Sequence, residues 1–144
     1  MGFIDCASGN SIWRGYDYYE NKKVISWQHE GGTNYSGIVS GSNGEEYRVD
    51  IDKNHPRKST CTCPFAAGRR VVCKHMIALY FTVDPCEAEK LLKEAEEYEK
   101  EEELRKQQHY EELRKYVMSL KKSELQDQLL DALIQLEERR GYYW

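Results

Sequence analysis

Cys61-Thr62-Cys63 and Cys73-Lys74-His75 place three thiols and an imidazole within residues 61–75, as Cys-x-Cys, nine intervening residues, then Cys-x-His. Three thiolates and one imidazole are a complete soft donor set for tetrahedral zinc, with Zn–S near ~2.3 Å and Zn–N near ~2.0 Å. In an extended segment residues i and i+2 point to the same side, so Cys61 and Cys63 converge on one ion while Thr62 faces away. At the other end, a ligand pair at the start of a helix lets the positive dipole end favour the Cys73 thiolate. Buried structural cysteines beside a capping histidine are the alternative, but four donors so closely spaced favour metal. Iron–sulfur clusters take four cysteines, and two-Cys two-His fingers start with a wider Cys pair.

Four protein ligands leave zinc no position for the water that a hydrolytic site needs, so one structural Zn2+ is expected rather than a catalytic one. The zinc deaminase signature, His-x-Glu with Pro-Cys-x-x-Cys, is missing: His29 is followed directly by Glu30, and Pro85-Cys86 has no second cysteine three residues on. No Gly-rich phosphate loop or Gly-x-Ser-x-Gly elbow occurs either. The chain is therefore expected not to be an enzyme. Cys6 and Cys86 stand apart from the cluster, and an odd total of 5 cysteines fits metal binding in a reducing compartment better than a disulfide framework.

The elements that must position these ligands follow from periodicity. Val24-Ile25-Ser26-Trp27 and Tyr35–Ser40 are short β-prone runs, and Glu46–Asp52 alternates polar with apolar, which turns Tyr47, Val49 and Ile51 to one face and Arg48, Asp50 and Asp52 to water. Turns at residues 30–34 and 41–44 make a three-stranded antiparallel meander, too small to stand unaided. After Asn54-His55-Pro56, the segment from Cys73 to Phe81 predicts a short helix packed on the sheet. Asp84-Pro85 opens a new helix. Ala88, Leu91, Leu92, Ala95 and Tyr98 keep helical spacing, the acidic run Glu99–Glu103 interrupts it, and Leu104, Tyr110, Leu113, Tyr116 and Val117 resume it. Ser123-Glu124-Leu125-Gln126 is a capping-box candidate for a last helix that presents Leu125, Leu129, Leu133 and Leu136 and ends at Gly141. The fold class expected is α+β: a small three-stranded antiparallel sheet plus a short helix around a structural zinc, followed by an all-α helical hairpin. The domains expected are 1–84, with a zinc-binding core at 12–81, and an acidic two-helix tail at 85–144. The terminal Tyr142-Tyr143-Trp144 is a candidate docking tip.

Charge divides the same way. Residues 1–85 carry 10 Lys+Arg and 9 Asp+Glu, whereas 86–144 carry 11 and 16, so the net −4 belongs to the tail. From Lys53 to Val83 there is no acidic residue, while Lys53, Arg57, Lys58, Arg69, Arg70 and Lys74 give +6. Arg57, Lys58, Arg69 and Arg70 flank the ligands and are the candidate contacts to nucleic-acid phosphates. The competing reading makes them solvated loop charges, or donors toward sulfur that balance the anionic site; Lys74, between two ligands, is assigned to site electrostatics first. The 11 Tyr, 3 Trp and 3 Phe are expected mainly in the core of a small domain, with stacking faces for single strands as the alternative use of Trp13, Tyr16, Tyr18, Tyr19, Trp27 and Tyr47. No apolar run approaches the roughly 20 residues that span a bilayer. Neither a secretion signal nor a myristoylation pattern follows Met1-Gly2, so an intracellular location is expected, cytoplasmic if the source is bacterial.

The ligand segments Cys61-Thr62-Cys63-Pro64-Phe65 and Cys73-Lys74-His75-Met76-Ile77-Ala78-Leu79 resemble the SWIM zinc finger. Upstream, Arg14–Tyr19, Val24, Gly37–Ser42 and Tyr47-Arg48-Val49 are similar to blocks in bacterial SWIM proteins, and the Ser123–Leu130 stretch loosely resembles a helix following the finger there. The resemblance implies a small sheet-plus-helix zinc domain of the kind found in SWI/SNF-type ATPases, Mutator-type transposases and ubiquitin-related proteins, with DNA or protein binding as its function. DNA is the expected partner, through the basic loops. A protein-interaction adapter or accessory piece of a larger ATPase, using the tail or the sheet face, is the alternative, with a homodimer through the helical tail as one form of it and no membrane partner.

Overall fold

The computed structural model describes residues 2–141. In chain order it forms α1 (Gly9–Glu20), β1 (Val24–Gly31), β2 (Asn34–Ser40), β3 (Glu46–Asp52), β4 (Thr60–Cys61), α2 (Lys74–Val83), α3 (Pro85–Ser119) and α4 (Lys122–Arg140), with single 3-10 turns at Ile4–Cys6 and Pro56–Lys58. Two compact units result, Met1–Lys93 and Glu94–Trp144. No helix among the described residues is long and apolar enough to cross a membrane.

The first unit is an antiparallel sheet in the order β1-β2-β3-β4 with α2 against it and α1 packed on α2. The meander forms as the alternation dictates: Val39 pairs with Tyr47, Gly37 with Val49 and Tyr35 with Ile51, and Val49 and Ile51 are buried while Arg48 is exposed. The sheet has four strands, however, not three. β4 is only two residues long, too short for any period to register, and it is held because Cys61 pairs with Val49 and Thr60 with Asp50. Met76, Ile77, Leu79 and Phe81 of α2 close over the sheet's inner face with Val39, Val49 and Ile51, all nearly inaccessible to water.

The amino-terminal helix α1 had no counterpart in the periodicity. Ser8 caps it, its hydroxyl accepting the Ser11 N–H at 3.2 Å, and Gly15 lets it approach α2 closely. A Cβ at position 15 would lie 2.5 Å from Ile77 Cβ and 2.8 Å from the Lys74 carbonyl. Tyr16 and Tyr19 set their edges on Phe81, and Phe3 stacks on Tyr80 with centroids 4.7 Å apart. These tyrosines serve the core, whereas Trp13 and Trp27 remain exposed.

Pro85 opens α3, whose first turns belong to the first unit because Ala88 is buried in the core and Leu91 packs on it. In the second unit both tail helices are present, but the expected hairpin seam is not formed. Tyr110, Leu113 and Tyr116 on α3 and Leu129, Leu130, Leu133 and Leu136 on α4 all stay exposed. Residues 120–121 are the whole connection. The last helix also starts earlier than Ser123: its N-cap is Lys121, whose backbone N–H donates to Glu124 at 3.1 Å. Gly141, with φ 75°, ends it as expected. Tyr142-Tyr143-Trp144 lies outside the described residues.

Candidate metal centre

Two pieces of backbone deliver the four ligands. On the β3 side, the Thr62 N–H donates to the Arg48 carbonyl at 3.1 Å and the Thr62 hydroxyl accepts the Arg48 N–H at 3.0 Å. Thr62 thus prolongs the extended pairing past β4, exposed between two buried cysteines, Cys61 and Cys63, which point inward together. On the other side, Cys73 is the N-cap of α2 and His75 lies in its first turn. Between them, the amides of Ala66 and Ala67 fold back onto the Cys63 carbonyl and Gly68, at φ 72°, turns the chain.

The donor atoms of Cys61, Cys63, Cys73 and His75 lie within 4.8 Å of one another and all four residues are buried. His75 Nδ1 is 3.7 Å from Cys61 Sγ and 3.9 Å from Cys73 Sγ. A tetrahedron built on ordinary zinc bond lengths has S···N edges of ~3.5 Å, so Nδ1 is the imidazole nitrogen turned to the ion. Its Nε2 is buried with no hydrogen-bond partner among the described residues. The ring itself is fixed edge-on to Tyr18, centroids 5.3 Å apart, and against Tyr47 at 4.7 Å. Donor chemistry, burial and spacing all fit one structural Zn2+.

The metal-free electrostatics say what the ion would replace. Cys73 is held below the ordinary thiol range, first by the hydrogen bond from the Cys61 thiol and then by His75 and the Met76 amide, against the opposing effect of burial. Cys61 is pushed up by the same pairing with Cys73 and by burial. Neighbouring buried thiolates cannot all ionise without a cation between them. Zinc supplies that cation by displacing the remaining protons.

The basic residues fall on two connections. Arg57 and Lys58 occupy the 3-10 turn between β3 and β4, anchored by Asp52, whose carboxylate accepts from Thr33 at 2.7 Å and from the amides of Asn54 and His55. Arg69 and Arg70 occupy the loop between Cys63 and Cys73, where Arg69 donates to the Phe65 carbonyl at 3.2 Å and lies over the Phe65 ring. All four are exposed. Lys53, counted in the basic run, is instead paired with Asp84 at 3.3 Å, and Lys74 sits over the Tyr18 ring, 4.8 Å from its centroid. Among the described residues Cys6, Cys86, His29, His55 and His109 lie outside the ligand cluster. Sequence reasoning missed Arg14, which lines a cavity beside the ligands with Asn10 and Tyr18. The 10, 14, 18 spacing would have disclosed that helix face had residues 9–20 been recognised as helical.

Fold and site together define an α+β domain closed around a Cys3His zinc centre. Residues 47–84, from β3 through α2, match the family model of the SWIM zinc finger. The chain matches no curated protein and no solved structure. The match takes in the ligands and the Tyr47-Arg48-Val49 block, and the SWIM finger is thus a part of the chain rather than its whole length.

Proposed function

We propose that the chain is a non-enzymatic binding module whose SWIM finger contacts DNA through Arg57, Lys58, Arg69 and Arg70. The observation that carries this is the exposure of those four side chains, without an ion pair among the described residues, in a segment that holds no acidic residue between Lys53 and Val83. A chain of net −4 that gathers unneutralised cations around its zinc loops presents a local field for phosphates. Zinc holds the loops and takes no part in chemistry.

The test is fluorescence anisotropy of labelled DNA with zinc-loaded protein across a salt series. Binding that weakens steeply with salt is expected, and the double variant Arg69→Glu/Arg70→Glu should bind at least about tenfold more weakly with zinc retained, its salt slope shallower by about two. Unchanged affinity in that variant would remove the finger loops from the interface.

A second reading is favoured by the exposed leucines of α4 and the second half of α3: a protein-interaction adapter, with a second copy of the chain as one partner. Sedimentation over a concentration range separates the two, because only the adapter reading predicts self-association that Leu129→Glu/Leu133→Glu abolishes.

A further inference from the structure

A cavity of about 300 Å³ lies beside the zinc ligands, within the first unit. Arg14, Tyr18, Tyr47, Phe65 and Lys74 line it together with three of the four metal ligands, Cys63, Cys73 and His75. Arg14 and Lys74 bring two positive charges to it, against the one net negative charge of a zinc centre with three thiolates, and no carboxylate lines it. Neither cation has an ion pair among the described residues; Lys74 is held over the Tyr18 ring, which leaves its charge unneutralised.

These groups ask for an anionic, acceptor-rich ligand. The remaining lining is aromatic, and Phe65 is 50 % exposed with the Arg69 guanidinium over its ring. Its volume is at the lower end of small-molecule pockets, roughly 300–1,000 Å³, room for one nucleotide and not for a base pair. We infer that this cavity takes a single unpaired nucleotide of a DNA strand, its phosphate between Arg14 and Lys74 and its base against Phe65. This rests on the nucleic-acid reading above and deepens it: the exposed arginines track the backbone, and the cavity selects strands that can release a base. Stacking on an aromatic ring is sequence-tolerant, so the preference is for single-stranded over duplex DNA rather than for a motif.

The experiment uses the zinc-loaded full chain and compares, by anisotropy, a single-stranded oligonucleotide with the blunt duplex of the same sequence. Competition by a nucleoside monophosphate and by inorganic phosphate is measured in parallel. Expected are tighter binding to the single strand, its loss by about tenfold in Phe65→Ala and in Arg14→Gln, little change for the duplex, and displacement by the nucleotide well below the phosphate concentration required. Zinc content and circular dichroism verify that both variants remain folded. If neither DNA binds the wild-type chain, the nucleic-acid reading fails and this inference with it. If DNA binds but both variants bind single strand and duplex as the wild type does, the reading stands and the nucleotide cavity is overturned. Equal displacement by phosphate and nucleotide would also overturn it, leaving an anion site without base recognition.

Discussion

Replacing Gly15 by alanine sets two opposed effects against each other at the crossing of α1 and α2. Alanine is favoured over glycine inside a helix by about 1 kcal/mol. Against that, the new Cβ would stand 2.5 Å from both Cβ and Cγ2 of Ile77 and 2.8 Å from the Lys74 carbonyl. Ile77 is fully buried and the carbonyl is main chain, so neither can swing aside; the helices must part by roughly 1 Å to restore ordinary contact. Overpacking of this kind costs about 1–3 kcal/mol, and two such immovable neighbours place it at the upper end. The net is a loss of about 2 kcal/mol, or a Tm lower by about 8–16 °C for a unit of this size. Thermal unfolding of zinc-loaded protein, followed by near-ultraviolet circular dichroism of the tyrosine-rich first unit, measures it. Gly9→Ala is the control, since a Cβ there meets nothing within 4 Å. Because Lys74 lies between Cys73 and His75, Gly15→Ala should also surrender zinc to a chelator more readily. A variant that melts at or above the wild-type temperature would mean that helix propensity wins and that α1 and α2 do not cross this closely.

Metal analysis should give one zinc per chain, and chelation, or Cys61→Ser, should unfold the first unit; a cooperative melt of metal-free protein would contradict this. Zinc loading near neutral pH should release protons, Cys61 being the thiol pushed up beside Cys73, as titration calorimetry in buffers of different ionisation enthalpy would register. Tyr16 and Tyr80 are both raised to about 12 by burial, Tyr16 with help from its hydrogen bond to Glu20 and Tyr80 from the charges of Glu87 and Asp84. A folded pKa above the unfolded value near 10 contributes stability that is full below about pH 10 and is lost as pH rises through about 12. Urea melts should therefore weaken across that window, and less so in Tyr16→Phe/Tyr80→Phe; equal weakening in both proteins would assign the alkaline loss elsewhere.

What the sequence disclosed and what it hid divide along physical lines. Tyr47, Val49 and Ile51 alternate with polar partners, a period that a half-buried strand imposes directly. The ligand pattern is just as local, since both halves are pairs two residues apart. β4 carries no such signal: at two residues it exists only because β3 offers Val49 and Asp50 as partners. The α1 segment holds two glycines and a run of aromatics, poor helix formers, and becomes a helix because Gly15 and the tyrosines fit α2 and Phe81. Ser123 looked like a cap, yet Glu124 reaches back to Lys121 instead. In the tail, spacing predicted the helices correctly, but helical spacing alone does not say what an apolar face meets, and the leucines of α4 remain in water.

The basic loops had two uses open to them in the sequence, and geometry weighs on the choice. A zinc ion with three thiolates and a neutral imidazole carries a net negative charge, and donors to sulfur are the usual way to settle it. Among the described residues the side chains in contact with ligand sulfur are those of the ligands themselves, His75 with Cys61 and Cys73 and the Cys61 thiol with Cys73; none is that of Arg57, Lys58, Arg69 or Arg70. Arg69 donates instead to the Phe65 carbonyl. Exposed guanidinium and ammonium groups act on a buried centre only through solvent-screened fields, so balancing the zinc site gives them little to do there. Their charges are left available to a partner that brings its own anions. That partner would meet Arg69 over Phe65, a ring that lines the Arg14–Lys74 cavity, where a strand held by its phosphates could place one base out of the stack.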